Sequence, residues 1–99
     1  MLVLIATLTV RRKAESAFRE YEAAAARIMS RHGGNIERTI EIDGEESAGT
    51  FREVHIVTFP DRPAFDAYRA DPEIVALTTL RKSAIASTEI LFGRDAVAY

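Results

Sequence analysis

The sequence predicts an α+β domain of the ferredoxin-like type, with a four-stranded antiparallel sheet covered on one face by two helices. Two observations predict it. Segments with strand and helical spacing follow one another as strand, helix, strand, strand, helix, strand, and polar turn signals separate them. The chain has 99 residues, the length of one domain, so residues 1–99 are expected to form a single unit.

The first strand and the first helix carry the clearest patterns. Leu2–Thr9 combines apolar residues with threonine and is rich in β-branched types, as is typical of a strand covered on both faces. From Glu15 to His32 the apolar spacing becomes helical, and Gly33-Gly34 supplies a C-terminal stop. The stripe that this helix would bury consists of Phe18, Tyr21, Ala25, Ile28 and His32.

Two further strands and a polar loop follow. Asn35–Ile42 alternates as an edge strand does, and Asp43–Gly49 is too long for a two-residue turn, so a wider hairpin loop should lead into Arg52–Phe59. Strict alternation places Ile36, Ile40 and Ile42 on one face of the edge strand together with Arg38. In the next strand it places Val54, Ile56 and Thr58 on one face and His55, Val57 and Phe59 on the other.

Proline and aspartate residues mark where strands end and helices begin in the second half of the chain. Pro60 cannot donate to a sheet ladder, so the third strand should end before it, and Asp61 is placed to cap the next helix. The same device recurs at Asp71 and Pro72, which should begin another helix that runs to about Ala84.

The last strand, Thr88–Phe92, completes a sheet that two helices can cover on one face only. Because the first strand is apolar on both faces, a monomer would expose a large apolar patch, which soluble proteins rarely do. The sequence therefore predicts a two-fold homodimer whose sheets pack face to face into an α+β barrel.

Several short motifs of the chain together resemble those of a known family. They are Arg31-His32-Gly33-Gly34, Thr58-Phe59-Pro60, Ala64-Phe65 with Tyr68, Asp71-Pro72-Glu73, Ala76-Leu77 and Arg81. The family that they resemble is the domain-of-unknown-function 1330 family of the dimeric α+β barrel superfamily. The resemblance implies a ferredoxin-like protomer and a barrel dimer. Relatives in the superfamily include cofactor-independent monooxygenases, lactone isomerases, haem-degrading enzymes and stress-associated proteins. The chain departs from the family pattern at Ile74, where an aromatic residue is common, and in its acidic Gly44–Ala48 loop.

Composition excludes several classes of function. A net charge of −2 supplies no electrostatic footprint for nucleic acid, and the absence of cysteine excludes disulfides and thiolate metal sites. The apolar opening is too short to span a bilayer, so a cytoplasmic protein is expected. The two histidines lack metal-ligand spacing, and neither a metal nor a cofactor is expected. The acidic cluster of Glu41, Asp43, Glu45 and Glu46 is interpreted as a solvated hairpin tip.

His55 is the candidate catalytic residue. It lies in the middle of an apolar strand, where burial could tune it as a general base or as a ligand for an anion. Two alternatives remain open. A position beneath the second helix, shared with Phe59, would indicate a structural role, and a position in the dimer cavity would make His55 a pocket residue.

Three other residues are candidates for ligand binding. Arg81, on the inner edge of an apolar helix face, either grips a substrate carboxylate or pairs within the protein. Tyr21 and Tyr68 either place hydroxyls at a cavity mouth or serve as core residues. His32 is explained by its position at a helix end, which favours a cation.

Three hypotheses of function follow. The first is a dimeric barrel that holds a small organic molecule and, if an enzyme, performs cofactor-independent oxygenation, isomerisation or lyase chemistry, with His55 as base and Arg81 as anion clamp. The second is a non-enzymatic stress-associated or interaction module in which both residues are structural. The third is a ligand-sensing regulatory domain of ACT-like topology.

Overall fold

The computed structural model describes residues 1–44 and 49–99. It contains four strands, four α-helices and a 3-10 turn at Arg12–Ala14, in the predicted order. The strands are β1 Leu2–Arg11, β2 Asn35–Glu41, β3 Thr50–Phe59 and β4 Ile85–Gly93. The helices are α1 Glu15–Ser30, α2 Arg62–Ala70, α3 Pro72–Val75 and α4 Thr78–Ala84.

The four strands form one antiparallel sheet in the order β2-β3-β1-β4. Sequence neighbours β2 and β3 form a hairpin, and the two crossovers place β1 in the centre beside β3. This is the ferredoxin-like arrangement, so the predicted fold class is confirmed.

A bulge in β2 alters the predicted faces of that strand. Ile36 pairs with Val57, but Arg38 pairs with Ile56, so one extra residue, Glu37, is inserted between them. Strict alternation was therefore wrong for Ile36, which packs into the core beside Val57 on the helix-covered face. The bulge also lets Glu37 accept a hydrogen bond of 2.8 Å from the hydroxyl of Thr58.

The predicted helix from Asp71 to Ala84 is interrupted. It consists of α3 and α4, with Ala76 and Leu77 between them. The last strand begins at Ile85 rather than Thr88, because a register shift opposite Thr9 and Val10 turns Ile85 into the core. Residues 45–48 of the predicted hairpin loop, with Glu45 and Glu46 of its acidic cluster, lie outside the described residues.

The two aspartate caps form as predicted. Asp61 accepts a hydrogen bond of 2.9 Å from the N–H of Ala64, and Asp71 accepts one of 2.9 Å from the N–H of Glu73. Each cap satisfies a backbone donor that the first turn of a helix leaves unpaired.

The core lies between the helices and one face of the sheet, in two clusters. The first is centred on Phe18 and Phe51, whose rings meet edge to face with centroids 6.0 Å apart. The second is centred on Phe59, fully buried, with the rings of Phe65 and Tyr68 at 5.4 and 5.6 Å. Both clusters use the residues of β1 and β3 that face the helices.

None of the helices in the described residues covers the opposite face of the sheet, and we call this face the open face. Ile5 lies at its centre, paired with Ile56 on β3 and with Leu91 on β4. Leu91 is 69% exposed in the protomer. The apolar side chains of the open face are Val3, Ile5, Ile40, Ile42, Val54, Ile56 and Leu91.

Of the described residues, no helix is long and apolar enough to cross a membrane.

Gly34 allows the second core cluster to close, and replacing it with alanine should destabilise the fold. A Cβ at Gly34 would lie 2.5 Å from Cγ of Met29 and 2.5 Å from Cε1 of Phe59. Since both neighbours are buried, the overlap should lower the free energy of unfolding by about 3 kcal/mol. A thermal unfolding experiment should show a melting temperature lower by about 10–20 °C.

Gly93→Ala is the matched control, because nothing lies within 4 Å of a Cβ at Gly93. It should leave the melting temperature nearly unchanged. Equal melting temperatures for the two variants would contradict the close packing at Gly34.

Candidate functional site

A cavity of about 520 Å3 lies between the helices and the covered face of the sheet. This volume falls within the range of pockets that bind small molecules, roughly 300–1,000 Å3. Its apolar walls come from both core clusters, and its polar groups come from α1, α2, α4, β3 and β4. The polar and titratable side chains in its wall are Tyr21, Glu22, His55, Tyr68, Arg69, Thr78, Arg81 and Thr88.

His55 lies on β3 at the base of the cavity, with a buried carboxylate beside it. Glu53 precedes it by two residues, so both side chains leave the strand on the same face. Nε2 of His55 donates to Oε1 of Glu53 at 2.8 Å, and the other oxygen of Glu53 accepts from Arg19 at 2.6 Å. The Glu53 side chain is only 3% exposed, whereas that of Arg19 is 46% exposed. The ion pair therefore connects the solvent side of α1 to the buried imidazole.

Glu22 supplies the second carboxylate at His55. Its Oε2 atom lies 3.7 Å from Nδ1 of His55, so the two ring nitrogens face two different carboxylates. Burial raises the pKa of Glu22, and the nearby charge of Glu53 raises it further, while His55, Arg81 and Arg19 act in the opposite direction. A carboxyl group with a raised pKa is suited to exchange protons nearer to neutral pH.

Arg81 extends from α4 across the cavity wall. It donates to the hydroxyl of Thr88 on β4 at 2.5 Å and also lies beside the hydroxyl of Tyr21. Thr88 pairs with Leu8 in the sheet and so faces the helices. The guanidinium is thus held at the cavity wall with donors directed at neutral oxygens, an arrangement that can accept an anion.

Tyr21 and Tyr68 bring two phenol groups close to these charges. Burial raises the pKa of the Tyr21 hydroxyl, and the nearby Arg81 counteracts part of that effect. Burial also raises the pKa of Tyr68, with Tyr21 and Glu22 adding to it. Both hydroxyls therefore remain protonated at neutral pH and can donate hydrogen bonds to a bound oxygen.

A small residue forms the floor of the cavity, and both polar and apolar residues line its mouth. Ala6 lies on β1 between His55 and Ile90 of the neighbouring strands, and its methyl group leaves space that a larger side chain would fill. The exposed lining residues mark the mouth, where α2, α3, α4 and β4 meet. They are Arg69, Val75, Thr78 and Ile90.

The structure brings together all four residues that the sequence singled out for a site. His55, Arg81, Tyr21 and Tyr68 line one cavity. Of the two alternatives for His55, the structure gives the position beneath the helices, shared with Phe59, and not one on the open face. His55 nevertheless lines a cavity, one that lies within a single protomer and that neither alternative included. The roles of these residues stay predictions.

Sequence reasoning missed Glu22 and Glu53, although both left a signal. Glu53 is two residues before His55 along β3, so its side chain lies on the same face of the sheet as the side chain of His55. Glu22 follows Tyr21 and lies four residues after Phe18 and three before Ala25, at the edge of the buried stripe of α1. A glutamate in either position requires a partner.

His32 is paired elsewhere. Its Nε2 atom donates to Asp71 at 2.8 Å, so it joins the end of α1 to the residue that caps α3. The helix-end position was correct, but Asp71 is the specific partner. Among the described residues, no group of three or more acidic or histidine side chains is placed to hold a metal ion.

This pair predicts an acid-sensitive contribution to stability. The hydrogen bond from His32, with that from the N–H of Glu73, lowers the pKa of Asp71 below its ordinary value of 3.8. A carboxyl group with a depressed folded pKa stabilises the fold above its unfolded pKa and loses that contribution as the pH falls. The stability difference between the wild type and Asp71→Asn should be constant above about pH 5 and should shrink as the pH falls through 3.8.

Urea unfolding of both proteins at a series of pH values measures this difference. Asparagine is a suitable replacement because it also caps helices. In a His32→Ala background the decline should be much smaller, since this variant removes the main cause of the difference between the folded and unfolded pKa of Asp71. A difference that stayed constant down to about pH 2 would contradict the assignment.

The fold and the cavity define a ferredoxin-like protomer with a cavity of about 520 Å3 beneath its helices. The sequence profile of one family, described as a domain of unknown function (DUF1330), matches residues 3–93. The chain belongs to that family, as its motifs predicted.

Solved structures share the fold at low sequence identity. A NIPSNAP domain protein from Burkholderia xenovorans is 22% identical, with a TM-score of 0.71 over 97% of this chain and 95% of that one. A putative antibiotic biosynthesis monooxygenase from Nitrosomonas europaea is 15% identical, with a TM-score of 0.71 over 98% and 100%. SnoaB, a cofactor-independent oxygenase from Streptomyces nogalater, is 16% identical, with a TM-score of 0.62 over 98% and 94%. A comparison with curated proteins returns no match.

Proposed function

We propose that the protein binds a small organic molecule in the cavity beneath its helices and that the cluster built on His55 exchanges a proton with it. The observation that carries this proposal is the position of His55, which lines a cavity of about 520 Å3 with a carboxylate at each ring nitrogen. Proton exchange of this kind is a step of isomerisation, lyase and cofactor-independent oxygenation chemistry. A cytoplasmic location remains the expectation from the sequence.

Arg81 is the proposed anchor for the molecule, with Tyr21 and Tyr68 as further donors. Their positions in the same cavity as His55 support these roles. The apolar walls and the cation Arg69 at the mouth favour a compact apolar molecule that carries an acidic or carbonyl oxygen. One neighbour in fold is named a cofactor-independent oxygenase, which supports chemistry of this type without making it this chain's reaction.

The protomers are proposed to form a two-fold dimer through the open face. Its apolar side chains have no cover in the protomer, and burial of such a patch stabilises association. Sedimentation equilibrium at micromolar concentration should give twice the 11.0 kDa protomer mass. Ile5→Lys, at the centre of the open face, should yield a monomer, whereas Ala23→Lys on the exposed side of α1 should not. A wild-type monomer would overturn the dimer.

A binding experiment tests the proposed cavity. The probe is 2-naphthol, a flat apolar molecule with one acidic hydroxyl, and binding is followed by NMR shifts of the protein. We expect shifts at residues of the cavity wall. Ala6→Leu should abolish them by filling the floor without altering a polar group, while Ala23→Leu on the exposed side of α1 should bind as the wild type does.

A non-enzymatic stress-associated or interaction module is the second candidate. One observation favours it: within the part of the chain that the structure describes, every buried polar side-chain atom already has a hydrogen-bond partner in the protein. Such a site is complete without a ligand. The absence of probe binding in the wild type would favour this module and overturn the binding function.

A further inference from the structure

We infer that Glu22, rather than His55, is the catalytic residue that takes the proton, that the substrate is a carbonyl compound with an acidic C–H bond, and that Arg81 and Tyr21 hold its oxygen. The inference rests on the proposed function and specifies the substrate class for the same cavity. Neither the sequence motifs nor the fold assigns a role to Glu22.

Access to the cavity distinguishes the two groups. Nε2 of His55 is engaged by Glu53 at 2.8 Å, and the His55 side chain is 6% exposed. Oε2 of Glu22 lies 3.7 Å from Nδ1 of His55, which is longer than a hydrogen bond, and the Glu22 side chain is 18% exposed. Since a carboxylate has two oxygens and several lone pairs, Glu22 can contact His55 and still receive a proton from a bound molecule.

His55 then acts as a positioning residue. Nε2 of His55 is held by Glu53 and its Nδ1 faces Glu22, so the ring is fixed in orientation beside the Glu22 carboxyl group. Glu53 is in turn held by Arg19. This chain of contacts orients the Glu22 carboxyl and determines the charge near it.

Other groups in the wall of the same cavity can stabilise a negative oxygen. Arg81 is placed there with donors toward Thr88 and Tyr21, and the Tyr68 hydroxyl is close enough to share the electrostatic environment of both Tyr21 and Glu22. A base in the same cavity as a cation and phenol donors supplies the groups needed to abstract a proton next to a carbonyl group.

The reaction balances within these groups. The C–H bond breaks and its proton passes to a carboxylate oxygen of Glu22. The electron pair of that bond forms a C=C bond, and the π pair of the carbonyl moves to its oxygen, which becomes an enolate facing Arg81 and Tyr21. Return of the proton to the same or a conjugated carbon completes enolisation or isomerisation, and no oxidant or reductant is consumed.

The charges that face Glu22 predict the pH profile. They come from His55 and Glu53 on β3, Arg81 on α4 and Arg19 on α1, with the phenol of Tyr68 on α2 nearby. Because burial outweighs the cations and raises the pKa of Glu22, the rate of proton abstraction should rise with pH through a midpoint above the ordinary range of a glutamate.

Exchange of the C1 protons of 2-tetralone in D2O, followed by proton NMR, tests the inference. The wild type should accelerate exchange over buffer, and Glu22→Gln should slow the protein-dependent rate by about a hundredfold while still binding 2-naphthol. Glu20→Gln, on the exposed side of the same helix, should exchange at the wild-type rate. His55→Asn should keep 2-naphthol binding and move the pH midpoint upward, because it removes a group that lowers the pKa of Glu22.

The outcomes of these experiments distinguish the proposed binding function from the proposed role of Glu22. If 2-naphthol binds but the wild type does not accelerate exchange, or Glu22→Gln exchanges as fast as the wild type, this inference is overturned and the binding function stands. If 2-naphthol does not bind, both fall. Should Glu22→Gln fail to fold by circular dichroism, Glu22→Asp replaces it and should retain the pH profile at a reduced rate, and an unchanged rate would overturn the inference.

Discussion

Replacing Phe59 with alanine should lower the free energy of unfolding by about 3–5 kcal/mol. Phe59 is completely buried and lies in contact with the rings of Phe65 and Tyr68. Truncation removes this apolar contact and leaves a void that joins the cavity, because Phe59 also lines its wall. Since domains of this size are stable by only about 5–15 kcal/mol, much of the protein should be unfolded in mild urea.

Phe92→Ala provides the matched comparison for urea unfolding. Phe92 contacts Phe65 with ring centroids 5.5 Å apart, but it is 44% exposed on the edge strand β4. Because it buries less surface, its loss should cost about 1 kcal/mol. Similar midpoints for the two variants would show that the second core cluster does not depend on Phe59.

Replacing Glu53 with alanine should lower the free energy of unfolding by about 3 kcal/mol. The substitution leaves the buried imidazole of His55 without its acceptor at Nε2 and leaves Arg19 without its 2.6 Å partner. Breaking a buried charged network from one side is costly because the remaining group stays desolvated and unpaired. Urea unfolding at neutral pH measures the loss.

Two control variants test this explanation. Glu53→Gln retains an oxygen acceptor for His55 and should recover part of the loss. Glu15→Ala removes an exposed carboxylate that lies 3.4 Å from Arg19, and should cost about 0.5 kcal/mol or less. If Glu53→Ala lowered the free energy of unfolding by no more than Glu15→Ala does, the buried network would not contribute to stability.

The fold could be predicted because its signals are local. The helical stripe of α1, the β-branched first strand and the aspartate–proline pairs each depend on residues within one or two turns of each other, and the predicted order of elements and both aspartate caps are present. The bulge at Glu37 could not be predicted, since it depends on how β2 meets β3 and leaves no mark in the alternation of β2 alone.

The candidate site could be predicted only in part. His55, Arg81, Tyr21 and Tyr68 were identified by residue type and position, but whether they met was undecided, because they come from β3, α4, α1 and α2. Glu22 and Glu53 read as ordinary surface charges on a helix and a strand. Their significance depends on burial beside His55, which arises only when α1 packs across β3.

The sequence by itself therefore determined the order of the elements, their caps, the alternation of side chains along the central strands, and membership in the family. Tertiary structure decided that the polar residues converge on one cavity and that two glutamates flank the imidazole. The physical reason is range: periodicity and capping are short-range properties of the chain, whereas a cavity and the desolvation of its charges depend on contacts between residues far apart in sequence.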